Sequence, residues 1–310
     1  MSQPPQRIVI ATRRSPLALW QAGYVKARLE ALHAGLRAEL LPLSTRGDEL
    51  AGAALAQAGG KGLFVLELEA ALADSRAALA VHSMKDVPVE LSAGYRIAAI
   101  TAREDPRDAF VSAGHADLGA LPAGSTVGTS SLRRQAQIAA RHPGLVVRPL
   151  RGNIETRLAK LERGEYAAIV LAAAGLKRLG LEGRIRSFLS PEECLPAPGQ
   201  GALGIECLAA RGEIAALAAP LADADADVCV RAERQVNRAL GGSCTIPLAA
   251  YAERTGGELR LRALVASPDG RRVARAEATG DPAQPEALGE RTARLLRERG
   301  ADRILADLKS

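Results

Sequence analysis

Three groups of residues in this chain could do chemistry. The first is Cys244, which stands in Leu240-Gly241-Gly242-Ser243-Cys244-Thr245-Ile246-Pro247. Its neighbours are small, so the thiol is left uncovered and something bulky can be attached to it. The second is Lys85-Asp86, just after the apolar run Leu79-Ala80-Val81-His82. That places both at the C-terminal end of a predicted strand, where α/β active sites form. A carboxylate there can stabilise a developing cation and pass protons. The third is a set of arginines at predicted strand-to-helix junctions. These are Thr12-Arg13-Arg14-Ser15, Thr129-Ser130-Ser131-Leu132-Arg133-Arg134 and Arg151-Gly152-Asn153, with Arg157 one turn further on. Each junction combines hydroxyl or amide groups, unpaired backbone N–H groups and guanidinium at a helix N-terminus, which is an anion site by geometry and dipole. Cations oppose the dipole at that end, so repeated arginines there cost stability unless an anion is bound. Three such junctions point to a polyanionic ligand.

Two tempting motifs fail. His82, Ser83 and Asp86 suggest a hydrolase triad, but consecutive strand residues point to opposite faces, so His82 reads as a satisfied strand histidine. Gly59-Gly60-Lys61-Gly62-Leu63-Phe64 lacks the Ser/Thr after lysine and the upstream glycine of a phosphate loop, and reads as a glycine loop.

The elements that must position these groups alternate along the first two-thirds of the chain, which predicts α/β with a largely parallel sheet. Ile8–Ala11, Leu79–His82, Thr126–Thr129, Val146–Leu150 and Ala167–Ala172 read as strands. Ser15, with Pro16 behind it, caps a helix to about His33 whose apolar face is Leu17, Trp20, Tyr24 and Val25. Ser130 or Ser131 caps a helix through Ala140, and Asn153 another through Glu162. Thr101–Pro106 and Leu195–Ala202 are rich in Pro, Gly or charge and read as two crossings between lobes. Expected boundaries are residues 1–101 with 202–221 for one α/β lobe, 106–196 for a second, and 222–310 for a small α+β domain holding Cys244. In that last domain Asp223–Ala239 and Glu286–Arg299 read as helices, and Ile246–Tyr251, Glu258–Ala266 and Arg271–Ala278 as strands. A chain that leaves one lobe, builds a second and returns has a cleft between the lobes, where ligands commonly bind.

Composition narrows the classes. The 310 residues suggest two or three domains, and 47% hydrophobic content supports a substantial core. Six of the 41 basic residues are lysines, leaving 35 arginines. Arginine holds carboxylates bidentately and stays charged. The net charge of +6 invites a nucleic-acid reading, but aromatics are only 3%, and the arginines sit at junctions rather than in one run. No apolar run approaches the ~18 residues of a membrane span, and Met1–Gln6 carries no charged-then-apolar leader, so the expectation is a cytoplasmic protein. Cys194, Cys207, Cys229 and Cys244 are widely spaced, which argues against a zinc site or disulfide framework.

Taken together, several stretches resemble the porphobilinogen deaminase (hydroxymethylbilane synthase) family along essentially the whole chain. They are Ser15–Ala22, Thr45–Asp48, Gly60–Phe64, Val81–Pro88, Glu104–Phe110, Gly128–Arg134, Leu150–Asn153, and Glu233-Arg234 through Gly242–Pro247. Ser243 departs from the glycine common at that position. The resemblance implies two periplasmic-binding-protein-like α/β lobes with a cleft between them, plus the small C-terminal domain. It also implies a dipyrromethane cofactor joined by a thioether to Cys244. On that primer four porphobilinogen units condense head to tail with loss of ammonia, and hydrolysis releases hydroxymethylbilane. Asp86 matches the catalytic aspartate. Ser15, Lys85, Asp86, Thr129, Ser131, Arg133, Arg134 and Gln200 match cofactor-binding positions. Arg13, Phe64, Ser83, Arg151, Arg157 and Arg178 match substrate-binding ones. Each pyrrole bears an acetate and a propionate, which accounts for the arginines. The family implies a monomer that needs no metal, nucleic acid or membrane. An anion-binding solute receptor or effector domain, the competing reading, would need neither Cys244 nor the third domain.

Overall fold

A computed structural model describes residues 6–45, 47, 65–241 and 246–308. Phe64 and Cys244 lie outside the described residues, as does the whole of the glycine loop Gly59–Phe64. The chain divides into two compact units, 1–104 with 202–227, and 105–201 with 228–310.

The first unit is built on a five-stranded sheet. Strand β1 (Arg7–Arg13) lies parallel between β2 (Arg37–Leu43) and β3 (Leu79–Ser83). β10 (Leu203–Leu208) then runs antiparallel between β3 and β4 (Tyr95–Ile100). Helix α1 (Pro16–Leu32) begins at Ser15, whose Oγ accepts from the Ala18 N–H at 3.3 Å. It buries Ala18, Gln21, Ala22, Val25 and Leu29 against the sheet. Trp20 and Tyr24, expected on that buried face, are instead 40% exposed and stack on each other with ring centroids 5.7 Å apart. The stripe at i, i+4, i+7 and i+11 from Ala18 is the one that fits close to a flat sheet, because small residues let the helix approach. Helix α2 (Leu66–Ala73) covers the other face with Leu68, Ala71 and Leu72.

The second unit holds two sheets. One is ordered β7 (Val146–Arg148), β6 (Thr126–Gly128), β8 (Ala168–Ala172), β5 (Asp108–Val111), β9 (Ser187–Leu189). β6 is parallel to β7 and β8, while β5 is antiparallel to β8 and β9. In each five-stranded sheet four strands run the same way and one, β10 or β5, runs against them, so the expected largely parallel sheet carries one reversed strand. The reversed strands are Asp108–Val111 and Leu203–Leu208, which follow the two crossing segments and escape the βα pattern. Helices α3 (Leu132–Arg141), α4 (Ile154–Glu162) and α5 (Ala173–Arg178) follow β6, β7 and β8.

The other sheet is an antiparallel meander of β11 (Leu248–Thr255), β12 (Glu258–Ala266) and β13 (Val273–Gly280). Alternation divides its side chains between two faces. Leu259, Leu261, Ala263 and Val265 join a core with Ala232 and Val236 of α6 (Ala224–Ala239), Leu288, Ala293 and Leu296 of α7 (Pro285–Glu298), and Ile304 of α8 (Ala301–Asp307). Ala249, Leu264 and Ala266 on the opposite face pack with Ala136 of α3 and with Leu195. The β12–β13 turn presses so close to α3 that a Cβ on Gly270 would lie 2.3 Å from the Ala140 nitrogen. Only a glycine, here also at φ +71°, allows that approach.

Candidate active site

In the first unit, β3 delivers His82 and Ser83, and a single 3-10 turn, Met84–Asp86, carries Lys85 and Asp86 beyond it. Alternation sends His82 and Ser83 apart, as the sequence requires. The His82 Nε2 and Glu206 Oε2 share a 2.8 Å hydrogen bond inside the sheet layer, both side chains almost wholly buried. Ser83 Oγ instead accepts from Gln21 Nε2 of α1 at 2.8 Å. The turn is anchored by Met84 N–H donating to the Ala202 carbonyl at 3.0 Å and by the buried Met84 side chain. Lys85 is half-buried and Asp86 exposed. The Asp86 carboxylate has no hydrogen bond or ion pair among the described residues, so it stands on a fixed backbone with both oxygens available. Arg13, at the end of β1, is half-buried, next to the Ser15 cap.

In the second unit, α3 and α4 supply the other two arginine-bearing junctions. Ser131 caps α3, its Oγ accepting from the Arg134 N–H at 3.4 Å, and Thr129 Oγ1 accepts from the Ser131 N–H at 3.2 Å. Asn153 caps α4 by accepting from the Thr156 N–H at 2.8 Å. Gly152, at φ +112°, must be glycine, since a Cβ would lie 2.7 Å from Thr156 Cγ2. Arg157 Nε donates to the Gly152 carbonyl at 2.7 Å, and Arg151 is half-buried at the same turn. Arg178, in the last turn of α5, donates from Nη2 to the Gly201 carbonyl at 2.6 Å.

Arg133 and Arg134 differ from the open clamp that sequence suggests: both are buried, at 4% and 6% exposure, on a wholly buried Asp108. Arg133 donates from Nη1 to Asp108 Oδ2 at 2.8 Å and from Nη2 to Oδ1 at 3.2 Å, and Arg134 Nη2 reaches Oδ1 at 2.8 Å. Gln200 Nε2 donates to Oδ1 at 2.9 Å and to the Pro106 carbonyl at 2.6 Å. The Cys194 thiol donates to Oδ2 at 3.2 Å. Arg133 Nη1 also meets the Leu195 carbonyl at 2.6 Å, and Arg134 Nη1 the Val170 carbonyl at 3.1 Å. An internal anion thus stands at this helix start where sequence expected only a ligand's. Burial alone would raise the Asp108 carboxyl, but the two guanidinium groups outweigh it and hold it well below the usual carboxylate range. Burial, together with Asp108, pushes the Cys194 thiol up to about 12, so it is a neutral donor. Two cations and one anion leave one positive charge over, and the Nε atoms of both arginines are buried without a partner.

Sequence reasoning missed Asp108, Cys194 and Gln137, which donates to the Leu195 carbonyl at 3.1 Å and accepts from the Leu195 N–H at 2.8 Å. The available signal for Asp108 was an acidic residue opening the fully apolar run Ala109-Phe110-Val111. Among the described residues no group of three or more His, Cys, Asp or Glu is placed to hold a metal ion, and no helix is long and apolar enough to cross a membrane.

Residues 8–216 match the family described as porphobilinogen deaminase, dipyromethane cofactor binding domain, and residues 228–298 match the porphobilinogen deaminase C-terminal domain. The chain belongs to the porphobilinogen deaminase family. A porphobilinogen deaminase of Bordetella parapertussis is 59% identical over 98% of this chain and 96% of its own length. One of Ralstonia nicotianae is 58% identical over 99% of this chain and 93% of its own. Among solved structures, the methionine binding protein MetQ is similar at TM-score 0.45 and 12% identity, over 70% of this chain and 90% of its own. As a porphobilinogen deaminase family member, the chain is an enzyme with a dipyrromethane cofactor-binding domain in residues 8–216.

Proposed function

We propose that this protein joins four porphobilinogen molecules head to tail, releasing ammonia and yielding hydroxymethylbilane, on a dipyrromethane primer held through a thioether to Cys244. The observation that carries this reading is the near-full-length likeness to porphobilinogen deaminases in a chain whose second unit buries an excess cation with two unpartnered guanidinium Nε atoms. Those orphaned donors fit a carboxylate-bearing group. When bound, dipyrromethane supplies a nucleophilic pyrrole α-carbon as the starting end of the growing chain.

The chain's own residues do the rest. Arg133 and Arg134, backed by Gln200 behind Asp108, present their remaining N–H groups to a cofactor carboxylate, with Thr129, Ser131, Ser15 and Lys85 as further donors. Arg13, Ser83, Arg151, Arg157 and Arg178 bind and orient the carboxylates of incoming pyrroles, and Phe64 is an apolar member of the same substrate-binding set. Asp86 lowers the energy of positive charge that develops as ammonia leaves, and its uncommitted oxygens can hold and return a proton. The domain reading stays as three parts: residues 1–101 with 202–221, 106–196, and 222–310. The protein acts as a cytoplasmic monomer, without nucleic acid or membrane.

Intact-protein mass tests this directly. The purified protein should exceed its sequence mass by two pyrrole units, and Cys244→Ser should lack the increment. An unmodified protein with full activity would sink the reading.

A further inference from the structure

We infer that Asp108 is a positioning residue for the cofactor, holding Arg133 and Arg134 together with one positive charge in excess, which a single cofactor carboxylate neutralises. The inference rests on the reading that these two arginines face the cofactor. Two guanidinium groups on adjacent residues at a helix N-terminus repel each other and the dipole. A shared carboxylate between them removes most of that cost. Asp108 is placed to do so: it takes two bonds from Arg133 and one from Arg134, all between 2.8 and 3.2 Å. Gln200 and Cys194 complete its coordination as neutral donors.

The charge count matters as much as the geometry. A second buried carboxylate would neutralise the cluster and remove its attraction for an anion. The thiol of Cys194, at 3.2 Å from Asp108, occupies a place where such a carboxylate would sit. No carboxylate would leave two buried cations unpaired, which is strongly destabilising. The cluster is also stiff. Gln137 ties the backbone of Arg133 to Leu195, and α3 is wedged against the β12–β13 turn at Gly270. The unpartnered Nε atoms of both arginines are the donors left for the incoming group.

The test uses full-length Asp108→Asn, Arg133→Gln, Arg134→Gln and the double variant Asp108→Asn/Arg134→Gln. Two readouts are taken: the cofactor-loaded fraction by intact mass, and the thermal midpoint. Asp108→Asn should lower the loaded-to-unloaded ratio about tenfold, a change of about 1.4 kcal/mol, and lower the midpoint. Arg134→Gln should lower loading while leaving the midpoint at or above that of the parent. The double variant restores the single excess charge, so its midpoint should lie above that of Asp108→Asn. Additive midpoint losses, or parent-like loading in Asp108→Asn, would overturn the inference while leaving the arginine reading intact. Parent-like loading in both single arginine variants would overturn that reading, and the inference with it. If Asp108→Asn does not fold, Asp108→Glu decides. It keeps the charge but shifts the carboxylate by one methylene, so loading should fall several-fold at a near-parent midpoint, and unchanged loading overturns the inference.

Discussion

Asp86 and Asp108 are the same side chain put to opposite uses. Asp86 sits on a 3-10 turn beyond β3, exposed and without a partner among the described residues. Asp108 opens β5, wholly buried, under five donor contacts. On the proposed function, the group that answers a charge appearing during reaction is the one left unpaired. A group that must hold cations still is saturated and kept from water. The arginines divide in the same way. Arg151 stands half-buried in a loop and Arg157 half-buried at the start of α4, whereas Arg133 and Arg134 are built into the core.

The largest effect expected from this contrast is at Asp86. Asp86→Asn should cut turnover by about 10²- to 10⁴-fold, the range typical of a lost acid–base or electrostatic group, while the dipyrromethane mass increment is kept. Its stability should stay within about 0.5 kcal/mol, as for other exposed positions. Normal turnover in steady-state assays would remove Asp86 from the chemistry and break the contrast.

The next effect is in acid. The Asp108 carboxyl is depressed in the folded protein and has its ordinary value, near 3.9, once unfolded. Its contribution to stability is therefore complete above about pH 4 and is lost as pH falls through the acid range below that. Denaturation midpoints measured between about pH 5 and pH 2 should fall less steeply in Asp108→Asn than in the parent. Parallel curves would show that Asp108 is not a saturated anion.

The smallest effect concerns Cys194. With its thiol raised to about 12 by burial and by Asp108, alkylation at about pH 8 should leave it unlabelled until the protein is unfolded. Labelling at the rate of an exposed thiol, read by peptide mass, would show that the Asp108 cluster is open to solvent.

Much of this was legible in one dimension. The caps at Ser15 and Asn153 are readable, and the one at α3 to within Ser130 or Ser131, because a short polar side chain before an apolar-periodic run has few other uses; the structure selects Ser131. β8 was readable as an all-apolar run, and His82 as a core histidine from strand alternation. The α1 face was misread at Trp20 and Tyr24 because hydrophobicity was weighed without size: the sheet accepts Ala18, Ala22 and Val25 at close range, not two large rings. The reversed strands β5 and β10 escape a sequence reading because each follows directly on a crossing segment, where the local pattern is weakest.

The sequence alone determined the candidate chemistry: a cysteine among small residues, an aspartate at a strand end, and arginines at helix starts, since residue type and local spacing suffice to single out each. Only the tertiary structure decided which charges are spent inside the protein. Asp108, Arg133 and Gln200 are separated by 25, 67 and 92 residues pairwise. A buried ion pair forms only when sheet order brings distant strands and loops together and excludes water around them.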